Sequence, residues 1–168
     1  MNSLKLISLK SSDVSQQSYL LNLHKIIHNI LATNSILYKM NKVASPFCPF
    51  CPSDSQNIRH LFISCLQVSS FWYKFQSWYS TVSNASLLLS EPEVLFGITC
   101  PCTHRLTLNH LTLLGKYFLY INALNNTMFV FSDFISLVQD KIEIEKYIAA
   151  ALNGEWELQQ KWKFPLTI

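Results

Sequence analysis

The sequence predicts a mainly helical single domain of four or five helices, and three observations carry that prediction. Apolar residues recur at helical spacing along four stretches. One segment, residues 42–54, holds Pro46, Pro49 and Pro52 among cysteines and cannot continue a regular helix. The length, 168 residues, fits one domain of roughly 100–200 residues.

The elements follow in chain order. Residues 1–12 are Ser/Lys-rich and unpatterned, a flexible lead-in to a domain spanning 13–168. From Asp13 to Leu31, Leu20, Leu23, Ile27, Ile30 and Leu31 mark a first helix, capped by Ser12 or Asp13. Residues 36–40 form a short apolar-aromatic piece, a possible strand or extended segment. A second helix starts near Asn57 or Arg59, with Leu61, Phe62, Cys65, Val68, Phe71, Trp72, Phe75 and Trp78 along one stripe. Residues 80–92 suggest a surface loop, and 94–99 another short strand or extended run. The third helix, about 106–125, is apolar nearly all round, which places it in a core or against a partner. The fourth, about 129–152, sets Phe131, Phe134, Ile135, Val138, Ile142 and Ile148 on one face, with Lys141–Glu145 as an i,i+4 pair. Asn153-Gly154 stops it, and 157–163 add a last helical turn or two.

Composition excludes several classes. Half the chain is hydrophobic (49%) and only 14% is charged, against roughly 25% in ordinary soluble chains. Disorder needs the opposite balance. Glycine numbers 3, and neither GxGxxG nor GxxxxGK[ST] occurs, so phosphate-cradling loops are not expected. The richest apolar run, 110–131, is interrupted by Lys116, Asn122, Asn125 and Asn126, so no membrane span is expected. The N-terminus lacks the apolar core of a signal peptide. The expected compartment is therefore intracellular, nucleus or cytoplasm, where cysteines bind metal or stay reduced.

The motif that carries chemistry is Cys48-Pro-Phe-Cys51, eight residues, His60, four residues, Cys65. Two sulfurs on a tight loop and a His/Cys pair at a helix start supply three thiolates and one imidazole, a tetrahedral set suited to Zn²⁺. Four protein ligands leave no open position, so the expected zinc is structural, one ion in a CCHC knuckle spanning 48–65. It would clip a Pro-rich loop, without regular hydrogen bonding of its own, onto a helix. Lys42 and Arg59 are candidates to balance the net negative charge of such a site. The competing reading makes Cys65 a plain core thiol.

Other clusters are weaker. Cys100, Cys102, His104 and His110 straddle a helix start, and plain thiols are expected there. His24 and His28 stand i,i+4, a spacing that could bind metal, but without the Glu of H-E-x-x-H, so one partly buried and one solvated histidine are expected. Glu143 and Glu145 read as a solvated helix surface. No G-x-S-x-G and no polymerase-type aspartate pair occurs, so no catalytic residue and no small-molecule substrate are expected.

Read with its flanks, the cysteine motif resembles the zinc-binding C-terminal region of reverse transcriptases from LINE-type (non-LTR) retrotransposons. Residues 19–31, the Ala-Thr-Asn-Ser after them, Ile36 to Met40, Ser45-Pro46 before Cys48, and His60-Leu61-Phe62 with Cys65 and Trp72 carry the likeness. Leu95-Phe96-Gly97, Gly115-Lys116-Tyr117 and 144–148 are similar to its downstream segment. The resemblance implies a non-catalytic module that helps hold RNA or DNA during target-primed reverse transcription. The family's endonuclease and polymerase domains would lie upstream, so a truncated or relic copy is implied. The alternative is a helical scaffold that docks protein, originally its own polymerase domain.

The residues offer modest support for nucleic acid. Net charge is +3, without a basic stripe. Lys39, Lys42, Arg59 and Lys74 are the candidate contacts, and Phe47, Phe50 and Tyr73 the candidate stacking faces. The bland alternative packs these aromatics against the helices. The surplus of apolar residues predicts an exposed apolar patch, on the third helix or residues 19–31, and poor solubility.

Overall fold

The computed structural model describes residues 24–51, 54–99 and 104–162. The lead-in, the first half of the first helix, Pro52, Cys100, Cys102 and residues 163–168 lie outside the described residues. Within them the fold is mainly α, as the periodicity predicts. A helical turn at residues 24–27 leads to α1 (Asn34–Lys39), a π-helical turn (His60–Ser64), α2 (Leu66–Ser83), α3 (Glu91–Phe96), α4 (Arg105–Leu124), α5 (Phe131–Leu152) and α6 (Glu155–Lys161). The β feature among the described residues is an isolated antiparallel bridge between Phe47 and Ser55.

Two expected strand or extended pieces are helices instead. Residues 36–39 fall in α1, and Met40 is its C-cap. Its orphan N-terminal donors find partners 22 and 21 residues away: Asn34 N–H donates to Gln56 Oε1 at 3.0 Å and Ser35 N–H to the Gln56 carbonyl at 3.2 Å. Residues 94–96 fall in α3, and part of the expected 80–92 loop starts that helix. Ser90 and Glu93 form a capping box, and Pro92 sits in the first turn, where it breaks no bond. Residues 97–99 alone of that stretch lie outside the helix, without regular secondary structure. There Asn109 clasps both backbone groups of Ile98, at 2.7 and 3.0 Å.

α4 lies at the centre. Leu108, Leu111, Leu114, Phe118 and Leu119 are buried on it, so most of the third helix belongs to the core, while Leu106, Tyr117 and Leu124 stay exposed. It packs on the π turn, α5 and α6. Phe71, Phe75 and Phe134 are fully buried, with Phe71 ringed by Phe118 at 5.8 Å, Phe131 at 5.7 Å and Phe134 at 5.2 Å. Rings offset at such distances gain about 0.5–1.5 kcal/mol per pair beyond area burial. Gly115 lets α4 approach α2: a Cβ there would stand 3.0 Å from the Trp72 ring.

Asn153, in the left-handed conformation (φ 53°), ends α5 as its sequence predicts, and Gly154 N–H returns to the Ala149 carbonyl at 2.9 Å. The sharp turn folds α6 back onto α4 and α5. Glu145 corrects another expectation. It is buried rather than solvated, and accepts from Lys161 Nζ at 2.7 Å and Trp162 Nε1 at 2.8 Å. The expected Lys141–Glu145 pair forms at 3.5 Å. Exposed apolar side chains are scattered over several elements, including Ile27 and Ile30 and, on α5 and α6, Ile144, Tyr147 and Trp156.

Candidate metal centre

The loop before the π turn is more ordered than its prolines suggest. Cys48 N–H donates to the Asp54 carbonyl at 2.9 Å, Gln56 N–H to the Pro46 carbonyl at 2.8 Å, and Asp54 N–H to the Cys51 carbonyl at 3.1 Å. These bonds close a narrow loop whose two ends are bridged. Asn34 Nδ2 donates to the Phe47 carbonyl at 2.9 Å, tying the loop to α1. Phe50 packs edge-on against Phe129, ring centroids 4.7 Å apart, tying it to the segment between α4 and α5. The expectation of a loop without regular hydrogen bonding of its own is therefore corrected: its two ends pair across the Phe47–Ser55 bridge.

The other two ligands come from the π turn. Asn57 caps the start, its Oδ1 accepting from His60 N–H at 2.8 Å. Cys65 N–H then donates to the His60 carbonyl at 3.1 Å, an i→i+5 bond. In an α-helix, residues five apart sit about 140° out of line. The wider π turn removes most of that offset and sets His60 above Cys65. The second helix predicted from one apolar stripe is thus two pieces. Cys65 is extended (φ −63°, ψ 133°) and serves as N-cap of α2. The break frees carbonyls, and α2 side chains recover them: Trp72 Nε1 donates to the Phe62 carbonyl at 2.8 Å and Ser69 Oγ to the Ile63 carbonyl at 3.0 Å.

All four predicted ligands converge. Cys51 Sγ lies 2.9 Å from His60 Nε2 and 3.5 Å from Cys65 Sγ, and Cys48 Sγ lies 4.0 Å from Cys65 Sγ. The four ligand atoms fall within 4.8 Å of one another, and the thiols are free of disulfides. A tetrahedral ion with metal–sulfur bonds of about 2.3 Å needs sulfurs about 3.8 Å apart. The two sulfur–sulfur spacings bracket that value and the Cys51–His60 spacing is tighter than a tetrahedral ion sets, so the four residues are close enough to hold an ion once those two side chains part slightly.

The electrostatics agree with a site that a cation would complete. Burial pushes the Cys51 thiol up to about 12, and the neighbouring Cys48 and Cys65 sulfurs add to the rise. Burial also raises Cys48, partly offset by backbone N–H groups of Phe50 and Cys51. Burial lowers the His60 imidazole, against a small opposing effect of Asp54, keeping it neutral and able to donate a lone pair. A dication inverts the thiol preference, because a coordinating thiol is deprotonated outright.

The candidate nucleic-acid contacts are less united. Lys39, Lys42 and Lys74 are exposed, the first in the last turn of α1, where a cation also suits the helix dipole. Arg59 is held by Glu91 in a two-pronged pair at 2.7 and 2.9 Å, so its charge meets a carboxylate rather than the sulfur cluster. That hydrogen bond holds Glu91 below the usual carboxylate range. Phe47 and Tyr73 stay exposed, whereas Phe50 is a packing residue. Two features escaped the sequence reading. The Asn34–Gln56 tether joins residues too far apart to signal pairing. Buried Lys116 donates to the Leu95 carbonyl at 2.9 Å, near the end of α3, and burial brings its ammonium down to about 8.

No protein-family model, curated protein or solved structure matches the chain. No helix among the described residues is long and apolar enough to cross a membrane.

Proposed function

We propose that the chain is a non-catalytic, zinc-stabilised helical module of the kind found at the C-terminal end of non-LTR retrotransposon reverse transcriptases, and that it helps to hold RNA or DNA. The convergence of Cys48, Cys51, His60 and Cys65 supports the metal part of this reading. Three thiols and an imidazole favour zinc among common cellular ions, and a closed set of four gives it a structural role. When bound, the ion supplies folding energy, cross-linking the loop to the π turn. The chain's own groups prepare the set: the 46–56 loop presents two sulfurs, Asn57 fixes the turn, and Trp72 restrains the break at Cys65.

The nucleic-acid part rests on exposed Lys39, Lys42 and Lys74 with Phe47 and Tyr73. Fluorescence anisotropy with single-stranded RNA and DNA across a salt series tests it. Each phosphate contact lowers the slope of log K against log salt by about 0.7, so three lysines predict a slope of about −2. Lys39→Gln/Lys42→Gln/Lys74→Gln should flatten it. Absence of binding at low salt contradicts the nucleic-acid reading. It then favours the second reading, a scaffold that docks protein, which is supported by Arg59 being engaged by Glu91 and by the exposed Ile27 and Ile30.

A further inference from the structure

We infer that His24 and His28 form a second, surface metal site that chelates a first-row divalent cation through both imidazoles. The two stand one helical turn apart, with His28 N–H donating to the His24 carbonyl at 3.0 Å. Their rings touch, centroids 4.2 Å apart with planes tilted by 44°. Both side chains are exposed, while Ile26 between them and Leu31 just beyond are buried and anchor the turn to the core. Residues i and i+4 on a helix are neighbours on one face, and imidazole suits Zn²⁺, Ni²⁺ and Cu²⁺. Two nitrogens bound side by side at about 2.0–2.1 Å from one ion stand about 3 Å apart. Rings already in contact reach that spacing by rotation of exposed side chains. Two protein ligands leave the remaining positions to water or to an oxygen from outside, so this site is exchangeable where the Cys/His set is closed. The inference is independent of what the cysteines bind.

Equilibrium dialysis of the full chain against Ni²⁺, after addition of one equivalent of Zn²⁺ for the cysteines, tests it. The wild type should bind one equivalent of Ni²⁺. Losing even an outer partner of a ligand costs about 10–100-fold in affinity, so His24→Ala and His28→Ala should each weaken binding at least about tenfold. Because both rings are exposed, the variants should keep the wild-type circular dichroism. No Ni²⁺ binding by the wild type overturns the inference. So does binding that survives either variant, including Ni²⁺ taken by the cysteines, which thiolate charge-transfer absorption would reveal.

Discussion

Cys65 stands at two junctions: its sulfur belongs to the cluster that could hold a metal ion, and its backbone ends one helix and starts the next. Cys65→Ser keeps the extended cap and removes only the thiolate. The variant should lose the metal while α2 stays intact, measurable as metal content against circular dichroism. Glu145 is the other residue with many partners. Burial alone would raise its carboxyl, but the Lys161 and Trp162 hydrogen bonds outweigh it and hold it below the usual range. Glu145→Ala leaves Lys161 and Trp162 without their acceptor. Because Lys161 is partly exposed, the cost should be about 2–3 kcal/mol, below that of breaking a fully buried pair, read from urea unfolding. The clustering of Cys48, Cys51, His60 and Cys65 was legible because metal chemistry fixes residue type and spacing. Glu145 was not, because its partners lie 16 and 17 residues away, beyond a turn whose return path no local pattern specifies.

At the scale of elements, the long helices α4 and α5 followed their periodicity, since burial of an apolar stripe decides them. The short helices α1 and α3 did not, because six residues are too few for a period: distant Gln56 satisfies the start of α1, and the Ser90–Glu93 box caps α3. The Ser90-x-x-Glu93 box was present in the sequence as a start signal. The π turn left a trace too: a five-residue His–Cys spacing suits neither i+3 nor i+4 of an α-helix. Where helices cross most closely, Gly115→Ala pits a helix-propensity gain of up to about 1 kcal/mol against a contact at 3.0 Å. Trp72 is fixed by its bond to the Phe62 carbonyl and cannot easily retreat. The substitution should therefore destabilise by about 1–2 kcal/mol, checked by the urea midpoint.

For the whole molecule, pH dependence follows from buried groups at the α4–α5–α6 junction. His110 is lowered to about 3, chiefly by burial and then by nearby Lys161, from an ordinary 6.5. Below 6.5 the unfolded chain takes up a proton that the folded chain refuses. The stability present above that value is therefore lost progressively as pH falls toward 3. Glu145, also held low, adds a loss in the same direction below 4.5. Unfolding free energy should drop between about pH 7 and about pH 5, and His110→Phe should shrink the drop. The low charge content now has a structural counterpart. Most of the apolar helix α4 is taken up by the core, and the surplus emerges at scattered positions such as Leu106 and Leu124 on α4 itself, Ile27, Tyr147 and Trp156.

The central claim is that a metal ion closes the Cys48–Cys51–His60–Cys65 set and holds the loop to the π turn. Metal analysis of the purified chain, with a thermal melt before and after chelation, tests it most directly. The account predicts one equivalent of zinc, lost in Cys48→Ser and Cys65→Ser, and a lower melting temperature once the ion is stripped. A folded wild-type chain that carries no metal, and whose melting is unchanged by zinc or by chelator, would contradict it.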